Sequence, residues 1–477
     1  MKPIFLSLFA AALCGAQGLG PFEDQAAVGT LLHPGSAEYD ASRGAYAISS
    51  SGENMWAQRD DFYFVWKRVS GDTSIAADIV FPTQGGNAHR KAVLMIRQSL
   101  DADSAYVDAA LHGDGLTSLQ SRAVKGGNTH EVGTNAASPR RMRLEKRGDD
   151  FYLYLAREGE DLRFAGGSMH LLLTGPFYVG LGVCAHNKDV TETAVFSNVQ
   201  LGPPAAGAMK LYSTLETVRA AAATDRRVVY ASAGRIASPA WSPDGKTLLY
   251  STGSTIERLA AQGGGKPERV PTRTAPSLLS LSPDGKLLAF SDRGRVSVMP
   301  AGNGGAARKL SGRNVSDPPS WSPGGKTLVY ARQRGGRSAI YRSPAERGEE
   351  SAIAAGQGSN RQPEFTADGK YVYFVSDRTG TAQVWRMKPD GSGQEQVTGD
   401  DRYECSDPRV SPDAARLVFL SRDNSAGSAQ AQLRMMNLKD KRTTVIAELD
   451  GTEGTLGSPA WSPDSSQIAF VSRQRLP

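Results

Sequence analysis

One short phrase recurs six times in the C-terminal half of the chain: WSPDGK at Trp241, LSPDGK at Leu281, WSPGGK at Trp321, FTADGK at Phe365, VSPDAA at Val410 and WSPDSS at Trp461. The leading residues are separated by 40, 40, 44, 45 and 51 positions. A period of about 40 to 50 residues, carried by short β-type runs, is the mark of propeller blades, units that bury their faces only against a neighbour. The phrase itself is turn chemistry. Proline pre-sets φ, aspartate bonds to the backbone two residues on, and glycine accepts a positive φ. VSPDAA and WSPDSS drop the glycine, so those two turns must close in another way.

The residues around each phrase read as strands. After it come TLLYST, LLAFSD, TLVYAR, YVYFVSD, RLVFLSR and QIAFVSR, β-branched and aromatic runs suited to burial between blades. The final repeat contains two strands before Pro477. Two more are expected from KLYSTLETVR and RRVVYAS, within 209–234, which would close a ring of six blades and leave no open edge. Trp241, Trp321 and Trp461 share one phase of the repeat and are expected to pack between blades. The aspartates at 244, 284, 368, 413 and 464 are expected to cap their own turns. WSPDGK and SDRTGTAQVWRMKPDGSGQEQVT resemble the WD40-like (PD40) repeats of the TolB-like β-propeller family, over about residues 208–477. That resemblance implies a closed propeller, a fold that serves both binding and catalysis.

The chain opens with Lys2, the apolar run IFLSLFAAAL and then Cys-Gly-Ala, which reads as a signal peptide over 1–16 with cleavage after Ala16. Leu13 before Cys14 does not suit a lipoprotein signal. No other run approaches the roughly 20 apolar residues of a membrane span. A periplasmic or secreted protein without a transmembrane segment is expected. Cys184 and Cys405 then remain, in different predicted domains, so core packing and not a disulfide framework must stabilise the fold.

Residues 19–203 alternate short strands with polar turns, among them FYFVWKRV, SIAADIVF, KAVLMIRQS, AYVDAALH, FYLYLA and FYVGLGVCA. This pattern predicts a two-sheet β-sandwich. The stretches GENMW, RKAVLMIRQSLDADSAYVDAALHGDG and YVGLGVCAHNKDVTETAVFSNV resemble the concanavalin A-like jelly-roll domains of the DUF1349 type, over most of 40–201. That resemblance implies carbohydrate as a ligand class and supplies no catalytic residue. GPPAAGA, at 202–208, marks the boundary between the two all-β modules.

Charge is unevenly shared. Residues 1–203 hold 18 Lys/Arg against 22 Asp/Glu, and residues 204–477 hold 37 against 27. Export and the scatter of the arginines argue against nucleic acid, leaving an acidic partner or anionic glycan as better motivated for a basic propeller, beside a solubilising surface with no dedicated partner. All six histidines, His33, His89, His112, His130, His170 and His186, precede residue 204. The propeller therefore has no imidazole for acid–base chemistry or metal ligation. No G-x-S-x-G occurs, and the glycines of GGGK at 263–266 do not follow the phosphate-loop spacing.

The candidate ligand-binding residues lie in the sandwich: Trp56 in a polar turn, Arg97 after an apolar run, and His112 and Asp114 in HGDG. Tryptophan would stack on a sugar ring while the other three bond its hydroxyls. Each also has an ordinary structural role open to it, as core, strand-end ion pair or hairpin turn. Asn187, Asp189 and Glu192 in the HNKDVTE loop are candidate oxygen ligands for a structural Ca²⁺, and no other cofactor is expected. The function expected is non-enzymatic: an exported binding or scaffold protein, with a protein partner on the propeller and carbohydrate on the sandwich. The alternative is a glycan-active hydrolase or lyase with its site in the sandwich or at the domain interface. Retaining or inverting hydrolysis needs two facing carboxylates, which sequence alone does not place.

Overall fold

The computed structural model describes residues 18–272, 278–302, 305–311, 313–346, 349–425, 430–450 and 454–477. The signal peptide expected at 1–16 lies outside the described residues. Among those residues every regular element is a strand, and no helix is long and apolar enough to cross a membrane.

The N-terminal part is built on two facing sheets. One has seven strands in the order Arg163–His170, Asp150–Ala156, Arg141–Arg147, Thr73–Val80, Glu192–Gly202, Ala45–Ser50 and Ser36–Asp40. The other begins with Asp24–Val28, Phe62–Val69, Phe177–Cys184, Lys91–Arg97, Tyr106–His112, Thr117–Arg122 and Thr129–Gly133. Successive side chains of a strand point to opposite faces. Leu94, Ile96, Val107, Leu119, Val179 and Leu181 therefore meet Ile75, Leu144, Phe151 and Leu153 of the facing sheet in one buried core. The opposite parity of the second sheet is buried as well. Phe62, Phe64, Val93, Met95, Tyr106 and Cys184 form a second apolar cluster with Met55, beneath a two-stranded hairpin of Met55–Trp56 and Arg59–Asp60.

Five four-stranded sheets follow, each an antiparallel meander running from the inner to the outer strand. The expected ring of six blades is corrected to these five. The strands Gly454–Trp461, Gln467–Leu476, Lys210–Arg219 and Ala222–Ala233 pair in that order, but they do not make a free-standing sheet. Ala222–Ala233 pairs in parallel with Thr129–Gly133, through Val132 opposite Arg226 and Gly133 opposite Arg227. The four strands are thus the far end of an eleven-stranded sheet. The edge strand Arg163–His170 of the seven-stranded sheet packs closely over these strands. Gly166 has φ +89°, and a Cβ there would stand 2.8 Å from Thr214 Cγ2 and 2.9 Å from Val228 Cγ1. Polar contacts reinforce the seam: Asn135 Nδ2 donates to Val229 O at 3.0 Å, and Gln474 Nε2 to Ser168 Oγ at 2.6 Å.

Within the propeller, each repeated phrase is one tight turn. The backbone N–H of Gly245, Gly285, Gly325, Gly369, Ala414 and Ser465 donates to the residue three positions earlier, at 2.8–3.0 Å. The aspartates act as caps: Oδ1 of Asp244, Asp284, Asp368, Asp413 and Asp464 accepts the N–H two residues on, at 3.0–3.1 Å. Ala414 and Ser465 close their turns in the same left-handed conformation, at φ 57° and 62°, without glycine's freedom. The tryptophans join neighbouring sheets. Trp241 Nε1 donates to Ala460 O at 3.0 Å, Trp321 Nε1 to Ser280 O at 3.1 Å, and Trp461 Nε1 to Arg409 O at 3.0 Å. Each indole is buried and bonds the inner strand of the preceding sheet.

Candidate functional site

Strand register arranges a polar grid on the outer face of the second sheet. Lys91 lies opposite His112, Met95 opposite Asp108, and Arg97 opposite Tyr106. Gln120 lies opposite both Asp108 and Glu131, and Arg122 opposite Tyr106 and Thr129. The Met55–Asp60 hairpin covers part of this grid and is held by Arg122. Its guanidinium donates to both oxygens of Asp60, at 2.8 and 2.7 Å, and to Ala57 O, at 3.2 and 3.1 Å. Thr129 donates to the same carbonyl through its N–H at 2.9 Å and Oγ1 at 3.0 Å. Ala57 is thereby held at φ 53°, a strained turn conformation supported by four hydrogen bonds. Burial raises the Asp60 pKa, against the opposing hydrogen bond from Arg122.

Beside the hairpin a cleft of about 280 Å³ opens, lined by Asn54, Trp56, His89, Lys91, His112, Gln120, Glu131 and His186 among others. Trp56 forms one wall, with Lys91 Nζ 5.3 Å from its ring centroid. Lys91, 3 % exposed, donates to Met55 O at 2.8 Å and to Asn54 Oδ1 and Gln120 Oε1, each at 3.3 Å. Three imidazoles gather at the same end: His89 is 5.4 Å from His186 and 6.1 Å from His112 between ring centroids. Burial and then the Lys91 charge pull His112 down to about 3, and the same two causes lower His186. Burial raises the pKa of Glu131 at the other end. Beneath the cleft, burial pushes Asp108 up to about 8 against the pull of Lys91. Neither Asp108 oxygen has a hydrogen-bond partner.

The structure brings Trp56 and His112 of the sequence candidates together in this cleft and places the other two elsewhere. Arg97 is fully buried. It donates to Ser99 O and Asp101 O and stands 3.6 Å from Asp60, so it supports the loop and hairpin and does not meet solvent. Asp114 closes its hairpin, accepting the Leu116 N–H at 2.9 Å. The residues considered for calcium do not converge. Glu192 is buried against Arg90 at 2.6 Å, Asn187 Oδ1 accepts the Asp189 N–H at 3.0 Å, and Asp189 is exposed. Among the described residues no group of three His, Cys, Asp or Glu is placed to hold a metal ion. Sequence reading missed Lys91, Gln120, Glu131, His89 and His186. For Lys91, Gln120 and Glu131 the signal was parity, since Lys91, Arg97, Asp108, His112, Gln120 and Arg122 share one face of their strands and Glu131 pairs with Gln120. His89 and His186 lie outside the strands.

The propeller has a second cavity, of about 400 Å³, at its centre, lined by Pro239, Pro283, Pro318, Pro412, Glu364 and Arg409 among others. Its inner strands carry repeated bulges. In three of them a non-glycine residue with positive φ precedes proline: Ser238 at 51°, Gln362 at 53° and Asp407 at 48°. Proline has no N–H to donate, so it suits a strand edge facing an open channel. On the inner strands Gln362 bridges two half-buried acids, its N–H reaching Asp317 Oδ2 at 3.1 Å and its Nε2 reaching Asp407 Oδ2 at 3.0 Å. Glu364 lies 3.6 Å from Arg409.

Fold and repeat together define a β-propeller protein whose N-terminal sandwich shares a sheet with the ring. The TolB beta propeller domain model matches residues 280–476. A protein of Agrobacterium fabrum described as uncharacterized is 31% identical over 261 residues, covering 51% of this chain and 87% of that one. The solved structure of a protein provisionally assigned as TolB from Agrobacterium tumefaciens is 30% identical and is covered in full by 57% of this chain, at a TM-score of 0.50. A TolB homologue of Chlorobium luteolum is 26% identical over 143 residues, and the matched part is 32% of that protein. The chain belongs to the TolB-like β-propeller family.

Proposed function

We propose that this is an exported, non-enzymatic binding protein whose sandwich cleft takes a saccharide while its propeller engages a protein partner of the cell envelope. In this reading residues 19–203 are a concanavalin A-like jelly-roll module and residues 208–477 the partner-binding ring. The observation that carries it is the composition of the cleft wall. Trp56 offers a flat apolar face, and Lys91, Gln120, Glu131 and His112 offer donors and acceptors together. That combination of stacking and two-way hydrogen bonding suits a polyhydroxylated ring. Binding is favoured over glycoside hydrolysis because Glu131 is the one carboxylate among the lining residues, whereas that hydrolysis ordinarily uses two opposed carboxyl groups. The proline-rimmed central cavity, on a rigid ring, supports the propeller's share of the role.

The test is a glycan array probed with the intact chain and with Trp56→Ala. The intact chain is used because cutting at the boundary would expose the edge of strand Thr129–Gly133. Saturable binding weakened at least about tenfold by the substitution is expected. No bound glycan, or equal binding by both proteins, refutes the reading.

A further inference from the structure

The cleft has two unlike ends. At one, Lys91 is almost fully enclosed, yet its Nζ bonds three neutral oxygens, and among the described residues it forms no ion pair. A buried ammonium without a paired anion is costly, and such charges are ordinarily matched. Beside it the Nδ1 atoms of His112 and His186 are buried and have no hydrogen-bond partner. Polar groups left in this state are what a ligand's oxygen atoms would satisfy. At the other end stands Glu131, an acceptor for hydroxyl groups.

We infer that the saccharide taken by this cleft carries a carboxylate, seated at the end formed by Lys91, His112 and His186, and that its binding draws in a proton. The inference rests on the saccharide reading and narrows it to uronic-acid-type ligands. The carboxylate adds a closely placed anion to the through-space pull of Asp108 and Glu131 on Lys91 and turns the imidazoles from groups held neutral into groups stabilised by charge. Burial outweighs the upward pull of Asp108, Glu131 and Asp60 on the Lys91 value. Burial lowers Lys91 and, with Lys91, lowers His112 and His186, so a bound anion raises all three and favours proton uptake. Glu131 and Asp108 have raised values and lose negative charge as pH falls, which removes repulsion of the ligand. Asp60 stays committed to Arg122, while Asp114 and Glu53 act on His112 and His186 only through space. Affinity for an acidic sugar therefore rises as pH falls, down to the ligand's own carboxylate range.

The experiment is calorimetric titration of the intact chain with short oligomers of glucuronate and galacturonate, against the matching glucose and galactose oligomers. Runs in buffers of different ionisation enthalpy count the protons taken up. At about pH 6 the acidic oligomers are expected to bind at least about tenfold tighter than the neutral ones, with net proton uptake and an advantage that shrinks toward about pH 8. Lys91→Met is expected to bring the ratio of acidic to neutral affinity toward one. His186→Gln, at a half-buried position where misfolding is not expected, should lower the ratio and the proton uptake. Equal binding of acidic and neutral oligomers without proton uptake overturns this inference and leaves the saccharide reading standing. Binding of neither kind removes that reading and this one with it. Binding of acetate as tightly as uronate, or stabilisation by Zn²⁺ alone, also overturns it, assigning the end to a simple anion or to a metal.

Discussion

The six repeated turns are an internal experiment on backbone strain. Gly325 has φ +67°, and a Cβ built on it meets nothing within 4 Å. Gly325→Ala therefore isolates the conformational penalty. A left-handed L-residue costs about 1–2 kcal/mol, and the smaller entropy of unfolded alanine returns about 0.4–1 kcal/mol. The expected net loss is about 0–1.6 kcal/mol, centred on about 0.8. The reciprocal change is available in the same fold. Ala414 occupies the equivalent position at φ 57° and is exposed, so Ala414→Gly sacrifices no packing and should stabilise by a similar amount. Gly285 supplies the third case. A Cβ there would meet Pro243 Cγ at 2.8 Å, so Gly285→Ala adds an overpacking cost of about 1–3 kcal/mol to the same strain. Urea midpoints for the three variants, compared where the slope is unchanged, should rank Ala414→Gly above the parent, then Gly325→Ala, then Gly285→Ala. A destabilised Ala414→Gly, or a Gly325→Ala as costly as Gly285→Ala, would refute the argument that φ and Pro243 set these penalties.

Two further outcomes follow from contacts between elements. Trp321→Phe removes the hydrogen bond to Ser280 O and is expected to cost about 0.5–1.5 kcal/mol, while Trp321→Ala adds a cavity, for about 3–5 kcal/mol in all. Equilibrium unfolding checks both, and a Trp321→Ala protein with unchanged stability would show that the indole does not join adjacent sheets. His170 Nδ1 stands 2.9 Å from Asp150, and that hydrogen bond raises the His170 pKa, against burial. Because the folded value lies above the unfolded one, the pair's contribution is full below about pH 6.5 and lost as pH rises through the folded value. His170→Gln should therefore be most destabilising under mildly acid conditions and nearly neutral above that range. A penalty that does not change with pH would rule the linkage out.

Local chemistry was legible wherever one segment carries its own reason for folding. SPDG and its variants announce a turn because proline, aspartate and a left-handed residue each act within a few positions. Even the two copies without glycine adopt the same conformation, so the surrounding strands override the preference of Ala414 and Ser465. The number of free-standing blades was not legible. It depends on Val132 and Gly133 meeting Arg226 and Arg227, a pairing across more than ninety positions that leaves no periodic trace in either strand. The site was half legible for a related reason. Trp56 and His112 stand out as aromatic or polar residues at turns and strand ends. Lys91 and Gln120 sit within strands buried on both faces, where alternation gives parity but does not reveal which parity meets solvent. The hairpin that Arg122 holds down decides that question. It covers Arg97, which sequence reading placed in the site, and leaves Lys91 at the cleft beside Trp56. The charged residues of one strand face thus divide between support and recognition according to how far a two-stranded flap reaches, and that reach is set by one buried guanidinium, Asp60 and the carbonyl of Ala57.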